Sequence, residues 1–239
     1  MDKIAVLTPL RLDGIDSRCR KFLNMLKTLH DCTERLDLLE VIVSIDMEDK
    51  SAEWAIELIK TCELNAIWCT LPEPRPTPVS KWNQCQKLSL SDIFVCVGAD
   101  IEFKTQGWDM MHREAIDAFP NKIGVAYSND MHWIRGQKAG NHAVHKNFVD
   151  ALGYYMLPEL QLYYSDDVMT KLGAAVGKTF LKECILARIH PARKDIKVET
   201  DKIYQETDRF YVQDRPAFER WEKEQMQFDI ARLKEAQGA

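Results

Sequence analysis

Phe94-Val95-Cys96-Val97-Gly98-Ala99-Asp100-Ile101-Glu102-Phe103, followed by Gly107-Trp108-Asp109, is the stretch on which the reading of this chain turns. It is an apolar run that ends in two carboxylates. Side chains alternate along a strand, so Asp100 and Glu102 leave on one face, about 7 Å apart. Two hard oxygen ligands at the exposed end of a buried strand suit a divalent cation carrying a diphosphate. The same pattern also describes an ordinary strand exit meeting solvent, and only the neighbouring elements separate the two.

Working outward, residues 4–10 read as a buried strand stopped by Pro9 and the Asp13-Gly14 turn. A helix is expected over 17–29, where Phe22, Leu23, Leu26 and Leu29 fall at helical spacing. Residues 38–46 form a β-branched strand ending in the acidic turn 46–49, and a helix carrying Trp54, Ile56, Leu58 and Ile59 follows, with Ser51 placed to cap it. A short strand over 66–71 leads to a loop over 72–78 that holds four prolines. A helix over 80–90 then enters the carboxylate strand. Strands alternating with helices predict an α/β domain with a mostly parallel sheet and helices on both faces. Ligands in such sheets bind beyond the carboxyl ends of the strands. That rim gathers Thr8 to Arg11, Asp46 to Asp49 and Asp100 to Glu102.

The second half is less regular. A helix is expected over 107–119, a strand over 123–127, a loop or hairpin over 128–141, and a helix over 147–152. Ser165-Asp166-Asp167 caps a helix over 168–176, a strand over 181–189 leads to His190-Pro191, and a charged helix covers 217–236.

Bulk properties narrow the class. The 239 residues carry a net charge of −5, which argues against a general polyanion-binding surface. Seven scattered cysteines without a Cys-x-x-Cys pair, and no apolar leader, predict reduced thiols and a cytoplasmic protein. No apolar run approaches the ~20 residues a membrane span needs.

Taken in order, Thr8-Pro9, Asp46, Gly98-Ala99-Asp100, Gly107-Trp108-Asp109, the segment Phe148 to Tyr154, Tyr164-Ser165-Asp166-Asp167, Ile189-His190-Pro191 and Asp201 resemble a nucleotide-sugar glycosyltransferase of the GT-A fold. The resemblance is to the compact family-two-like type of bacteria and phages and runs over 4–204. It implies a GT-A catalytic domain over 1–213, with a charged helix over 214–239 packed on it. The donor it implies is a nucleoside-diphosphate sugar, UDP-sugar most commonly, used with Mn2+ or Mg2+. Thr8, Pro9 and Arg11 would line the nucleotide, Asp46 would accept from the base or ribose, and Lys81 and Asn83 would meet the diphosphate or sugar. Ala99 and Asp100 would end the donor strand, with Asp100 the principal metal ligand. Gly98 stands where the family carries a first carboxylate, so a second register, with Asp100-Ile101-Glu102 as the motif and Glu102 chelating, stays open. His190 would be a third ligand, since imidazole suits Mn2+.

The resemblance makes Asp167 the base for the acceptor hydroxyl, with Asp166 second, and implies inversion at the anomeric carbon; a plain helix N-cap explains this pair equally well. His132, Trp133 and Tyr164 would shape the acceptor side. The acceptor it allows is a hydroxymethylated DNA base, with Lys138, Lys146, Arg188, Arg193, Lys194 and Lys197 as a local basic face, or a saccharide. Two rivals remain. A sugar nucleotidyltransferase would carry a Gly-rich loop that residues 8–11 lack, and a nucleotide-sugar-binding protein without transferase activity is kept in play by Gly98.

Overall fold

The structure, a computed structural model, describes residues 1–70, 76–132, 136–191, 193, 195–198 and 200–238. Its strands are β1 (Ile4–Leu10), β2 (Leu39–Ile45), β3 (Ala66–Cys69), β4 (Ile93–Cys96), β5 (Ile101–Phe103), β6 (Val125–Asn129), β7 (His142–His145) and β8 (Lys178–Arg188). The helices are α1 (Asp16–Cys32), α2 (Ala52–Thr61), α3 (Pro78–Leu88), α4 (Trp108–Asp117), α5 (Lys146–Leu152), α6 (Ser165–Val176), α7 (Lys202–Glu224) and α8 (Met226–Gln237). One sheet runs in the order β3-β2-β1-β4-β7-β6-β8-β5.

Period-two alternation on a strand covered on both sides builds two cores. Ile4 and Val6 of β1 pack with Phe22, Met25 and Leu29 of α1 on one face. Ala5 and Leu7 pack with Val79 and Cys85 of α3 and Phe148 and Leu152 of α5 on the other. Such a strand reads as a continuous apolar run, as residues 4–7 do. β1, β2, β3 and β4 pair in parallel, so their carboxyl ends share one rim.

Three departures from the sequence reading matter for function. The run 94–103 is not one strand: β4 stops at Cys96, residues 99–100 form a turn, and β5 pairs antiparallel with β8 at the far edge of the sheet. Alternation therefore cannot be carried from Asp100, in the turn, to Glu102, in β5, and the two belong to different local structures. β7, set between β4 and β6 and antiparallel to both, was not expected, because its polar ends His142 and His145 mask a fully buried strand. The charged C-terminal helix is two helices, and the expected boundary between 213 and 214 falls inside α7. Both helices pack on the second core through Trp221 and Leu233. No described helix is long and apolar enough to cross a membrane.

The Gly107-Trp108-Asp109 motif is part of the frame. Gly107 takes φ 71°, Trp108 Nε1 donates to Thr33 Oγ1 at 3.0 Å, and Asp109 accepts from the Glu34 and Arg35 backbone N–H groups at 2.9 and 3.2 Å. Asp109 also pairs with Arg113 at 2.5 Å, and both side chains are within 3 % of complete burial. Asp109→Ala leaves Arg113 charged and unpartnered by a carboxylate in the interior, which costs roughly 3–5 kcal/mol. Thermal unfolding should show a Tm lower by about 6–20 °C; a drop under 3 °C would contradict this account.

Candidate functional site

A cavity of about 760 Å³ opens over the strand rim and is lined by Pro9, Leu10, Asp46, Gly98, Ala99 and Asp100, by the starts of α3 and α6, by Arg188 at the end of β8 and His190 beyond it, and by the length of α7. Its position follows from the topology, because parallel strands deliver their carboxyl ends to one edge.

One end is rich in cations. Lys81 projects from the first turns of α3, donates to Leu10 O at 3.0 Å and pairs with Asp46 at 2.8 Å, with 4 % and 11 % of the two side chains exposed. Burial pulls the Lys81 pKa down, and Asp46 opposes that pull. The other carboxylate oxygen, Asp46 Oδ1, is buried and has no hydrogen-bond partner among the described residues, an acceptor standing ready for a ligand N–H or O–H. Arg11 pairs with Asp13 at 3.0 Å and with Glu206 of α7 at 2.7 Å. Arg18 grips Asp201 through two bonds of 2.7 and 2.9 Å and lies 4.5 Å from the Tyr204 ring centroid.

Asp100 is the centre of the cavity. Its Oδ2 accepts from Tyr204 Oη at 3.3 Å and lies 3.8 Å from Arg188 Nε. The Asp100 backbone oxygen accepts from Ile189 N at 2.7 Å, which ties the end of β8 to the 98–100 turn. A Cβ at Gly98 would stand 2.6 Å from Asp100 Oδ1, so a larger residue there would displace the Asp100 carboxylate from its present position.

The residues present were tested against a divalent cation. Asp100 and His190 line the same cavity, and burial together with Arg188 pushes the His190 pKa to about 4, which leaves a neutral imidazole, the ligating form. Among the described residues no group of three or more candidate ligands gathers. A carboxylate and an imidazole fit a cation whose other positions are filled by diphosphate oxygens and water, the usual arrangement on phosphate substrates. Glu102 is not part of this set: it lies outside the cavity lining and pairs with Lys104 at 3.1 Å.

At the other end stand Asp166 and Asp167, in the first turn of α6. Neither caps the helix. Its N-cap is Tyr164, with no side-chain cap bond, but Asp166 Oδ1 accepts from the Asp167 backbone N–H at 3.0 Å and both carboxylates lie in the first turn, where the helix dipole favours them. Asp167 pairs with Lys138 at 2.7 Å. Asp166 is half-buried at the cavity wall, and burial, reinforced by the Asp167 charge and opposed by Lys138 and Arg188, pushes its carboxyl up to about 6.

Of the residues expected at the site, Pro9, Arg11, Asp46, Lys81, Ala99, Asp100, His132, Tyr164, Asp166, Asp167 and His190 line this cavity. Thr8 does not: it is fully buried with its hydroxyl toward Met25 Sδ. Asn83 is also elsewhere, clamped on the Met156 backbone by bonds of 2.9 and 2.7 Å. Trp133 and Lys194 lie outside the described residues. Among the described residues, four members of the expected basic face are each placed beside a carboxylate. Lys138 and Arg188 are inside the cavity beside carboxylates, Lys146 pairs with Asp92 at 2.6 Å at a separate surface hollow, and Arg193 pairs with Asp195. Sequence reasoning missed Arg18, Lys21 and Tyr204. The first two stand three residues apart at the start of α1, a helical spacing that follows the rim of β1 directly and was a usable signal; Tyr204 arrives from the C-terminal region and had none.

No protein-family model matches the sequence, and no curated protein matches it either. Solved structures do match. The Staphylococcus aureus protein TarS superposes with a TM-score of 0.61 at 14 % identity, over 79 % of this chain and 37 % of that one. Residues 1–349 of TarS in complex with UDP-GlcNAc give a TM-score of 0.60 at 13 % identity, over 87 % and 64 % of the two chains. The mannosyltransferase PcManGT of Pyrobaculum calidifontis, in complex with GDP-Man and Mn2+, gives 0.63 at 12 % identity, over 98 % and 74 %. The chain thus spans between 37 % and 64 % of the TarS chains it matches. These likenesses show the fold, which is the GT-A fold expected from the sequence.

Proposed function

We propose that the chain is a glycosyltransferase that moves a sugar from a nucleoside-diphosphate donor to an acceptor hydroxyl. The observation that carries this reading is one cavity holding an unsatisfied carboxylate oxygen and a cluster of cations at one end and a carboxylate pair, one member raised to about 6, at the other, with Asp100 and Arg188 between them. The superposition on proteins bound to UDP-GlcNAc and to GDP-Man with Mn2+ supports it.

In this reading Asp46 Oδ1 accepts from the base or ribose of the donor, and UDP is the first nucleotide to test. Arg188, Arg18 and Lys21 face the diphosphate. Asp100 and His190 would hold a divalent cation, Mn2+ or Mg2+, whose chemistry there would be neutralisation of charge on the leaving diphosphate. The acceptor hydroxyl gives its proton to the Asp166–Asp167 pair, its oxygen bonds to the anomeric carbon, and the bond from that carbon to the phosphate oxygen breaks with its electron pair leaving on the nucleoside diphosphate. Attack from the face opposite the diphosphate inverts the anomeric carbon. The environment ranks Asp166 ahead of Asp167 as the base, because Asp167 is committed to Lys138.

Thermal unfolding in the presence of UDP, GDP and their sugars, with and without Mn2+, tests the donor site. A ligand at a hundred times its Kd raises Tm by about 5–10 °C for a domain of this size. The expected result is such a rise with one nucleotide, larger with Mn2+, and release of free sugar from the cognate donor. Absence of a shift with every nucleotide would overturn the reading, and a shift without sugar release from any donor would make this a binding protein.

A further inference from the structure

The cavity wall beyond the carboxylate pair is aromatic, and its construction is unusual. Tyr164 adopts φ 64°, a left-handed conformation that a bulky side chain takes only at a cost. That backbone turn lays its ring parallel to two rings of α7: Phe218 at 4.9 Å and 18°, and Tyr211 at 5.4 Å and 21°. Tyr163 meets Tyr211 edge-on at 5.5 Å, and its hydroxyl donates to Asp208 at 2.9 Å. All of these line the cavity, and Tyr211 remains 52 % exposed. Strain is therefore maintained in the residue two before Asp166, in a position that places a flat ring beside the proposed base.

We propose that the exposed ring of Tyr211, backed by the stacked rings of Tyr164 and Phe218, forms the acceptor subsite, and that the acceptor is an uncharged sugar ring. This rests on the transferase reading above. Aromatic faces take the apolar face of a pyranose, and the carboxylates nearby accept its hydroxyls. The charge around the wall argues against a phosphate-bearing acceptor. Lys138 and Lys171 are each held by a carboxylate at 2.7 Å, Asp167 and Glu222 respectively, while Arg209, exposed on α7, also lines the cavity and lies 5.2 Å from the Phe210 ring centroid. A nucleic-acid backbone gains affinity by meeting lysine and arginine, and here it would meet Arg209 but have to break both lysine pairs while facing Asp166 and Asp208. A neutral ring breaks none of them.

The test is made on the full chain with UDP present. Maltose, cellobiose, lactose and chitobiose are offered as probes, with binding read by saturation-transfer NMR. A fluorescent duplex carrying hydroxymethylcytosine is offered separately and read by polarisation. The expected result is binding of at least one disaccharide, weakened about 10-fold by Tyr211→Ala and restored by Tyr211→Phe, which keeps the ring face. Phe228→Ala, an exposed aromatic of α8 outside the cavity, serves as the unaffected control. Disaccharide binding that survives Tyr211→Ala overturns the subsite. UDP binding with no disaccharide bound overturns the acceptor class and leaves the transferase reading standing, and Tyr211-dependent binding of the duplex alone assigns the wall to a base instead. Failure of every nucleotide to bind removes the transferase reading and this proposal together.

Discussion

Asp100→Ala is expected to abolish both sugar transfer and donor hydrolysis, lowering kcat by on the order of 10²–10³-fold or more, the usual scale for losing a group aimed at charge that develops in the transition state. The reason lies in what the carboxylate touches. Its two oxygens divide between the niche left by Gly98 and a pair of donors, Tyr204 Oη at 3.3 Å and Arg188 Nε at 3.8 Å. Its backbone bond to Ile189 N survives any side-chain change, so the 98–100 turn keeps its anchor to β8. Asp100→Asn separates charge from shape: the amide can still accept from Tyr204 but carries no charge for a cation. Both variants should therefore lose transfer alike and lose the extra stabilisation that Mn2+ adds to nucleotide binding. Part of the nucleotide affinity persists, because Asp46 and Lys81 act at the far end of the cavity. The measurement is kcat on the cognate donor together with nucleotide-induced Tm shifts with and without Mn2+. Activity within 10-fold of the parent in either variant would remove Asp100 from the reaction.

The rim of this site was legible because it depends on local pattern and on a topological rule. Apolar runs at 4–7 and 41–43 announce doubly covered strands, parallel pairing aligns their ends, and Pro9, Asp46 and Asp100 line one cavity as a consequence. What failed were inferences that assumed continuity or ignored competing partners. Glu102 shares a face with Asp100 only if the strand already includes Asp100, and the chain turns at 99–100 instead. Thr8 and Asn83 occupy rim elements, yet Thr8 turns to Met25 in the core and Asn83 satisfies the Met156 backbone. Sequence spacing does not record which way a side chain faces at a strand end. The contacts of Arg18 with Asp201 and of Asp100 with Tyr204 span 183 and 104 residues, and they exist only because α7 folds back across the cavity. Nothing local encodes that return.

Asp166→Asn should lower transfer by about 10²–10⁴-fold, the range for removing a general base, while leaving nucleotide-induced Tm shifts in place. It should also make the protein more stable above pH 6. The folded-state pKa of Asp166 is raised from 3.8 to about 6, so the folded chain holds this proton more tightly than the unfolded chain does. The stability contributed by that preference is fully present below pH 3.8 and is lost as pH rises through about 6. Above that point the native fold carries an ionised carboxylate in surroundings that disfavour it, and asparagine relieves the penalty. A Tm difference between variant and parent that grows from pH 4 to pH 7 is the expected signature, and a Tm difference independent of pH would deny the raised pKa. The same proton governs catalysis: kcat/KM for the acceptor should climb through about pH 6 and level off above it, since only the ionised carboxylate takes a proton. Asp167→Asn separates the base from its neighbour. Removing the Asp167 charge takes away one of the influences that raise Asp166 and releases Lys138 from its 2.7 Å pair. The rising limb should then move to lower pH while transfer continues. If Asp167→Asn instead abolishes transfer and Asp166→Asn spares it, the base is Asp167, and the Lys138 pair must open during turnover.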